Sequence, residues 1–293
     1  MPETQAQTSW RAPTGTLGEL VASATRRAAT LAADEREWRG RAEAAGPRPS
    51  LCDALRRETV TVIAEVKRWS PSKGVINGSL DASEQARRYA AGGAAAISVL
   101  TEPERFGGSS EDLAAATAAV AIPVLKKDFH VAPVQLYEAR ALGASAALLI
   151  VRALEPERLR HLLDVASYIG LESLVEVRDA EELELALAAG AALIGVNNRD
   201  LESLVIDPST VCRIIPLIPV SVVAVAESGM SSKADIEGAA ACGADAVLVG
   251  SAISAAEDPS MAVSHLVSVR AARSGRLRHP DSAEVDLVDA GSA

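Results

Sequence analysis

The chain has 293 residues, 48% of them hydrophobic, and sets 29 Lys and Arg against 39 Asp and Glu for a formal net charge of -10. That acidic balance argues against a nucleic-acid partner, whose backbone demands clustered basic residues, while leaving a small anionic ligand open. No apolar run reaches the roughly 20 residues of a membrane span, and Met1-Pro2-Glu3-Thr4-Gln5-Ala6-Gln7 lacks a secretory leader's basic start and apolar core, so a cytoplasmic setting is expected.

The length suits one α/β barrel or two ordinary domains. Residues 1–15 are polar and carry Pro2, Pro13 and Gly15, which predicts a disordered arm. A helical period then begins, with Leu17, Leu20, Val21, Ala24, Ala28 and Leu31 on one stripe, and runs with many charges to the Gly46-Pro47 break. A short second helix, Leu51 to Arg57, follows. Residues 16–58 therefore form a helical extension ahead of the main fold, expected to lie across its top and help enclose a ligand.

From Thr59 a rhythm sets in. Short β-rich runs occur at Val60–Val66, Ala95–Leu100, Val124–Lys127, Ala146–Val151, Ser173–Val177, Leu193–Val196, Val222–Ala226 and Ala246–Val249, with helix-length segments between them. Gly-Ala precedes the even-numbered runs at Gly93, Gly143, Gly190 and Gly243, each glycine suiting a helix C-terminal cap. Ile-Pro-Val opens runs three and seven, at Ile122 and Ile218. Four βα units repeated twice close naturally as a (β/α)8 TIM barrel over 59–273. A doubly wound open sheet is the rival, but no Gly-x-Gly-x-x-Gly follows any strand. A last helix is expected from Met261 to about Arg273, and residues 274–293 carry no period and read as a disordered tail. Cys52, Cys212 and Cys242 form no CxxC pair and read as buried thiols of a reducing cytosol rather than a disulfide or metal site.

In such a barrel, chemistry belongs at the C-terminal ends of the strands. Those positions hold Glu65, Lys67 and Ser70; Thr101 and Glu102; Lys126, Lys127, Asp128 and Phe129; and Arg152. The second half adds Glu176; Asn197 to Asp200; Glu227, Ser228 and Gly229; and Gly250 and Ser251. Strand alternation puts Glu65 and Lys67 on one face, inside the barrel. Lys126 and Lys127 face opposite ways, and spacing alone leaves open which points inward. Ser228-Gly229 and Gly250-Ser251 close strands seven and eight with small residues that then start helices, the arrangement of a phosphate cup. Plain turns and caps are the alternative, which the paired occurrence disfavours.

Taken in order, Glu65-Val-Lys-Arg-Trp-Ser-Pro-Ser-Lys-Gly, Ile97-Ser-Val-Leu-Thr-Glu, Leu125-Lys-Lys-Asp-Phe129, Leu174-Val-Glu-Val177, Gly195-Val-Asn-Asn-Arg-Asp-Leu201 and Ala226-Glu-Ser-Gly229 resemble the indole-3-glycerol phosphate synthase family of tryptophan biosynthesis, over residues 17 to 270. The resemblance implies a cofactor-free lyase that closes and decarboxylates 1-(2-carboxyphenylamino)-1-deoxyribulose 5-phosphate. It assigns Lys127 as general acid, Glu65 and Lys67 as a catalytic pair, Glu176 as the strand-five carboxylate and Asn197 as the strand-six polar group. Ser70, Ser228, Gly229, Gly250 and Ser251 match phosphate and substrate contacts; Phe106, Phe129 and Leu148 line the anthranilate pocket, and Arg199 is a further substrate contact.

The chemistry needs an acid for the ketone oxygen, a second acid for the departing hydroxyl and a carboxylate for the cationic ring. Lysine serves near neutral pH when burial and a positive neighbour lower its pKa; which lysine serves which step stays open. No metal is implied, and the partners suggested are the phosphorylated substrate and other enzymes of that pathway, with no nucleic acid or membrane. Trp69 departs from the family, where a smaller or basic residue is usual, and either narrows the phosphate entrance or faces a helix. That leaves room for a paralogue acting on a substituted anthranilate. A sugar-phosphate isomerase and a phosphate-binding barrel without turnover are the other readings.

Overall fold

Eight parallel strands close on themselves: β1 (Thr61–Val66), β2 (Ala96–Leu100), β3 (Val124–Lys127), β4 (Ala146–Ile150), β5 (Glu172–Val177), β6 (Leu193–Asn197), β7 (Val223–Glu227) and β8 (Ala246–Val249), with β8 pairing back onto β1. The computed structural model describes residues 10–71, 74–267, 269–271 and 276. Each expected run is a strand, within one residue at either end, because a run apolar on both faces must be covered on both faces. β1, β2, β4, β6, β7 and β8 are buried along their whole lengths.

Helices fill the intervals. Among them α4 (Ala82–Ala91), α6 (Ser110–Ala119), α9 (Ala180–Ala188) and α11 (Lys233–Ala241) start where Asp81, Ser109, Asp179 and Ser232 accept a hydrogen bond from the backbone N–H three residues on. Gly93, Gly143, Gly190 and Gly243 close the helices before β2, β4, β6 and β8 with φ of 94°, 93°, 88° and 96°. A side chain there would be strained, which explains the repeated Gly-Ala.

The extension runs from one end of the barrel to the other. Helix α1 (Gly15–Leu31) lies on the C-terminal face. The Thr16 N–H donates to the Glu202 carbonyl (3.1 Å) beyond β6, and Arg27 makes a two-pronged ion pair with Asp128 (2.9 and 2.8 Å) at the end of β3. Helix α2 (Glu35–Glu43) packs beside α7 (Pro133–Ala141). The short α3 (Leu51–Leu55) sits at the opposite end, its Leu51 and Cys52 N–H groups donating to the Glu172 carboxylate at the start of β5.

Three expectations change. Cys212 and Cys242 are joined in a disulfide with Cα atoms 5.1 Å apart. They lie on α10 (Thr210–Ile214) and at the end of α11, neighbouring helices whose packing brings together residues 30 apart in sequence. The last helix, α13 (Pro259–Ser264), stops well before Arg273. The chain after it runs back to the barrel's lower end, where the Val60 N–H donates to the Val269 carbonyl (2.7 Å). Arg276, within the expected tail, is buried against Asp245 (2.6 Å) and the Pro219 carbonyl (2.8 Å). The rest of 274–293 and residues 1–9 lie outside the described residues. No helix among the described residues is long and apolar enough to cross a membrane.

Candidate functional site

At the C-terminal ends of the strands a cavity of about 240 Å³ opens. Its floor is a cluster of charges. Glu65 on β1 reaches inward, and an alanine Cβ at position 250 would sit 2.5 Å from its Oε1, so glycine there makes its room. Lys67 lies on the same side, its Nζ 3.4 Å from Glu65 Oε1 and 5.5 Å from the centre of the Phe106 ring. Phe106 is held by Glu102, whose buried carboxylate accepts from the N–H groups of Glu104 (3.0 Å), Arg105 (2.7 Å) and Phe106 (3.2 Å). Glu102 is thus a cap that places an aromatic ring rather than a reacting group.

Across the cavity Lys127 points inward, settling the two-lysine ambiguity. Its Nζ lies 3.7 Å from Glu176 Oε2 and 3.4 Å from Glu227 Oε2. Lys126, one residue earlier, turns outward and is buried against Glu138 on α7. Alternation along β3 forces this split. Asn197, paired with Glu227 in register across β6 and β7, accepts the Arg199 N–H at 2.9 Å.

The electrostatics differ from the expectation. Burial pulls the Lys127 ammonium down, but Glu227, Glu176 and Glu65 outweigh it and hold the pKa above the ordinary lysine range. Burial in turn pushes the Glu227 carboxyl up to about 8 against the pull of Lys127, with Glu176 and Glu65 adding to the rise. These two shifts describe one proton contested by neighbours; we place it on Lys127, where three carboxylates stabilise it. Carboxylates, rather than the expected positive neighbour, surround the lysine.

Glu227, at the end of β7, stands among the strand-end positions of the sequence but receives no role from the family resemblance; the structure sets it against Lys127. The signal was available in Gly195: an alanine Cβ there would meet Glu227 Oε1 at 2.0 Å, so the inward side of β6 is left bare for this carboxylate.

Small residues make the opposite wall. Ser228 (φ 60°) and Gly229 (φ 82°) are both left-handed, and the Asn198 side chain donates to the Ser228 carbonyl at 3.1 Å. A non-glycine residue held there is strained and over-determined by its surroundings, a mark of a functional turn. Gly250 and Ser251 open α12 (Ser251–Ser254) as expected, whereas α11 begins only at Lys233, beyond the Ser228–Gly229 turn. Phe129, Leu148 and Arg199 complete the expected lining, joined by the unexpected Leu100, Ile150, Leu201 and Leu248. Ser70 is not brought to the cavity: it is buried in a two-stranded hairpin of Trp69–Ser70 with Gly74–Val75. Trp69, in that hairpin, is 42% exposed and lines no part of the cavity.

An apolar ring slot, two ammonium groups among three carboxylates and a glycine–serine wall all face one space. The family model for indole-3-glycerol phosphate synthase matches residues 20–266. The chain belongs to that family. Indole-3-glycerol phosphate synthase of Mycolicibacterium smegmatis is 50% identical over 79% of this chain and 85% of its own. The Streptomyces griseus enzyme of that name is 54% identical over 74% and 81%, and indole-3-glycerol phosphate synthase 1 of Streptomyces coelicolor 51% over 83% and 90%. Among solved structures, a thiamine phosphate pyrophosphorylase from Pyrococcus furiosus superposes with a TM-score of 0.55 at 19% identity, covering 74% of this chain and 96% of that one. That likeness shows the barrel fold alone.

Proposed function

We propose that the chain converts 1-(2-carboxyphenylamino)-1-deoxyribulose 5-phosphate to indole-3-glycerol phosphate, releasing carbon dioxide and water. Family membership supports the reaction; the residue roles rest on the geometry. The observation that carries them is the Lys127 ammonium between Glu176 and Glu227, facing the Glu65–Lys67 pair across one cavity.

The phosphate takes the Ser228–Gly229 and Gly250–Ser251 wall, and the anthranilate ring takes the slot lined by Phe106, Phe129 and Leu148. Ring carbon attack on the ketone requires a proton on its oxygen. Lys127 donates it, and the surrounding carboxylates let it recover the charge afterwards. The carboxylate then leaves as carbon dioxide and its electron pair restores the aromatic ring. Lys67 donates to the departing hydroxyl, and Glu65, 3.4 Å from it, accepts the proton lost from the new five-membered ring. Glu176 and Glu227 stabilise the positive charge that passes through the ring nitrogen.

Purified protein mixed with the carboxyphenylamino substrate should develop indole fluorescence. Absence of turnover would overturn this reading.

A further inference from the structure

Resting on that reaction, a second cavity has a task. It is about 210 Å³ in volume and lies behind Glu176, roofed by Leu17 of α1. Ile150, Glu176, Arg199 and Leu201 line both cavities, so only side chains separate them. Glu176 therefore has one face on the reacting groups and one on this space. Its Oε2, 3.7 Å from Lys127 Nζ, is buried and accepts no hydrogen bond from the described residues.

The reaction needs what such a space can bring. The substrate's carboxylate departs as neutral carbon dioxide, so charge balances only if a proton enters. Two protons are donated, to the ketone oxygen and to the leaving hydroxyl. One returns from the ring, leaving a net uptake of one per turnover.

On the far side of the second cavity stands Glu182, in the first turn of α9, half-buried, its Oε2 accepting the Arg178 N–H at 2.7 Å. The groups facing it come from each neighbouring element. Arg178 from the end of β5 is paired to Asp200 (3.2 Å) and Arg152 from the end of β4 to Glu202 (2.8 Å). Arg199 donates to the Leu204 carbonyl (2.9 Å), while Asp179 and Glu176 add negative charge. Most of the positive charge is already matched and carboxylates are in excess, so the cavity does not suit an anion. It suits protons and water, with room for several molecules.

We propose that this cavity is the proton inlet of the active site, with Glu182 taking protons from solvent and passing them through water to Glu176, which reprotonates Lys127. Burial first, then Asp179 and Glu176, push the Glu182 carboxyl up to about 7, so it can both hold and release a proton at neutral pH. Glu182 acts through Glu176 and touches no substrate.

Glu182→Gln tests this, because glutamine still accepts the Arg178 N–H but carries no proton load. At pH 8.5, where protons are scarcest, kcat should fall about tenfold, equal to about 1.4 kcal/mol of barrier, with KM and Tm unchanged. Added imidazole buffer should restore the variant's kcat and leave the wild type unmoved. A kcat within twofold of wild type across pH 6 to 9, or a loss that imidazole does not rescue, would overturn the inlet. Wild-type turnover is measured alongside: if the wild type itself is inert, the reaction assignment has failed, not the inlet.

Discussion

Replacing Gly195 by alanine isolates the role of Glu227 without touching it. The backbone at 195 lies outside the left-handed region, so β6 accepts alanine, and relief of glycine's chain entropy is worth up to about 1 kcal/mol. The new Cβ, however, would sit 2.0 Å from Glu227 Oε1. The carboxylate must retreat by about 1.4 Å to reach ordinary van der Waals contact. If Oε2 follows, its 3.4 Å separation from Lys127 Nζ widens to about 4.8 Å. At an effective dielectric of about 20 that weakens the attraction by about 1.4 kcal/mol, or tenfold in rate if the transition state feels all of it. Loss of alignment adds to this, since a displacement near 1 Å costs up to about 100-fold. We expect kcat 10- to 100-fold lower, KM little changed, and Tm within about 3 °C of wild type. Adding Glu227→Asp, one methylene shorter, should recover part of the rate. A kcat within twofold of wild type at unchanged Tm would refute any use of the Glu227 carboxylate's position.

Lys127→Ala should lower kcat by about 100- to 10,000-fold while calorimetry still detects substrate binding, since the phosphate wall is intact; unchanged turnover would remove Lys127 from the mechanism. Arg27→Ala should destabilise the protein by about 1–3 kcal/mol and raise KM by loosening α1, as read by thermal melts and initial rates. Burial works against it, but the Arg27 hydrogen bonds hold the Asp128 pKa below the ordinary carboxylate range. The stability this pair contributes is therefore present above pH of about 4 and lost as pH falls further, so the gap between wild type and Arg27→Ala should narrow in acid; a constant gap counts against the ion pair. Thiol titration of the unfolded, unreduced chain should find one thiol, Cys52, and reduction should release the other two. Closing a loop between residues 30 apart is worth about 3–4 kcal/mol, so reduction should lower Tm by on the order of 10 °C. Three free thiols before reduction would refute the bond.

The sequence by itself determined the eight strands, their order and the barrel. Apolar runs with no alternation admit only a sheet covered on both faces, and glycines at fixed intervals mark where each helix must turn left-handed. It also placed Glu65 and Lys67 together, because two residues along a strand share a face whatever the partner. Tertiary structure decided what depends on neighbours in space. Alternation says that Lys126 and Lys127 part, but only the closed barrel says which faces Glu138 and which faces Glu176 and Glu227. The direction of the Lys127 pKa shift follows from three carboxylates carried by three strands, a sum no single motif displays. Cys212 and Cys242 meet for the same reason, since adjacency of α10 and α11 is a property of their packing rather than of their spacing along the chain.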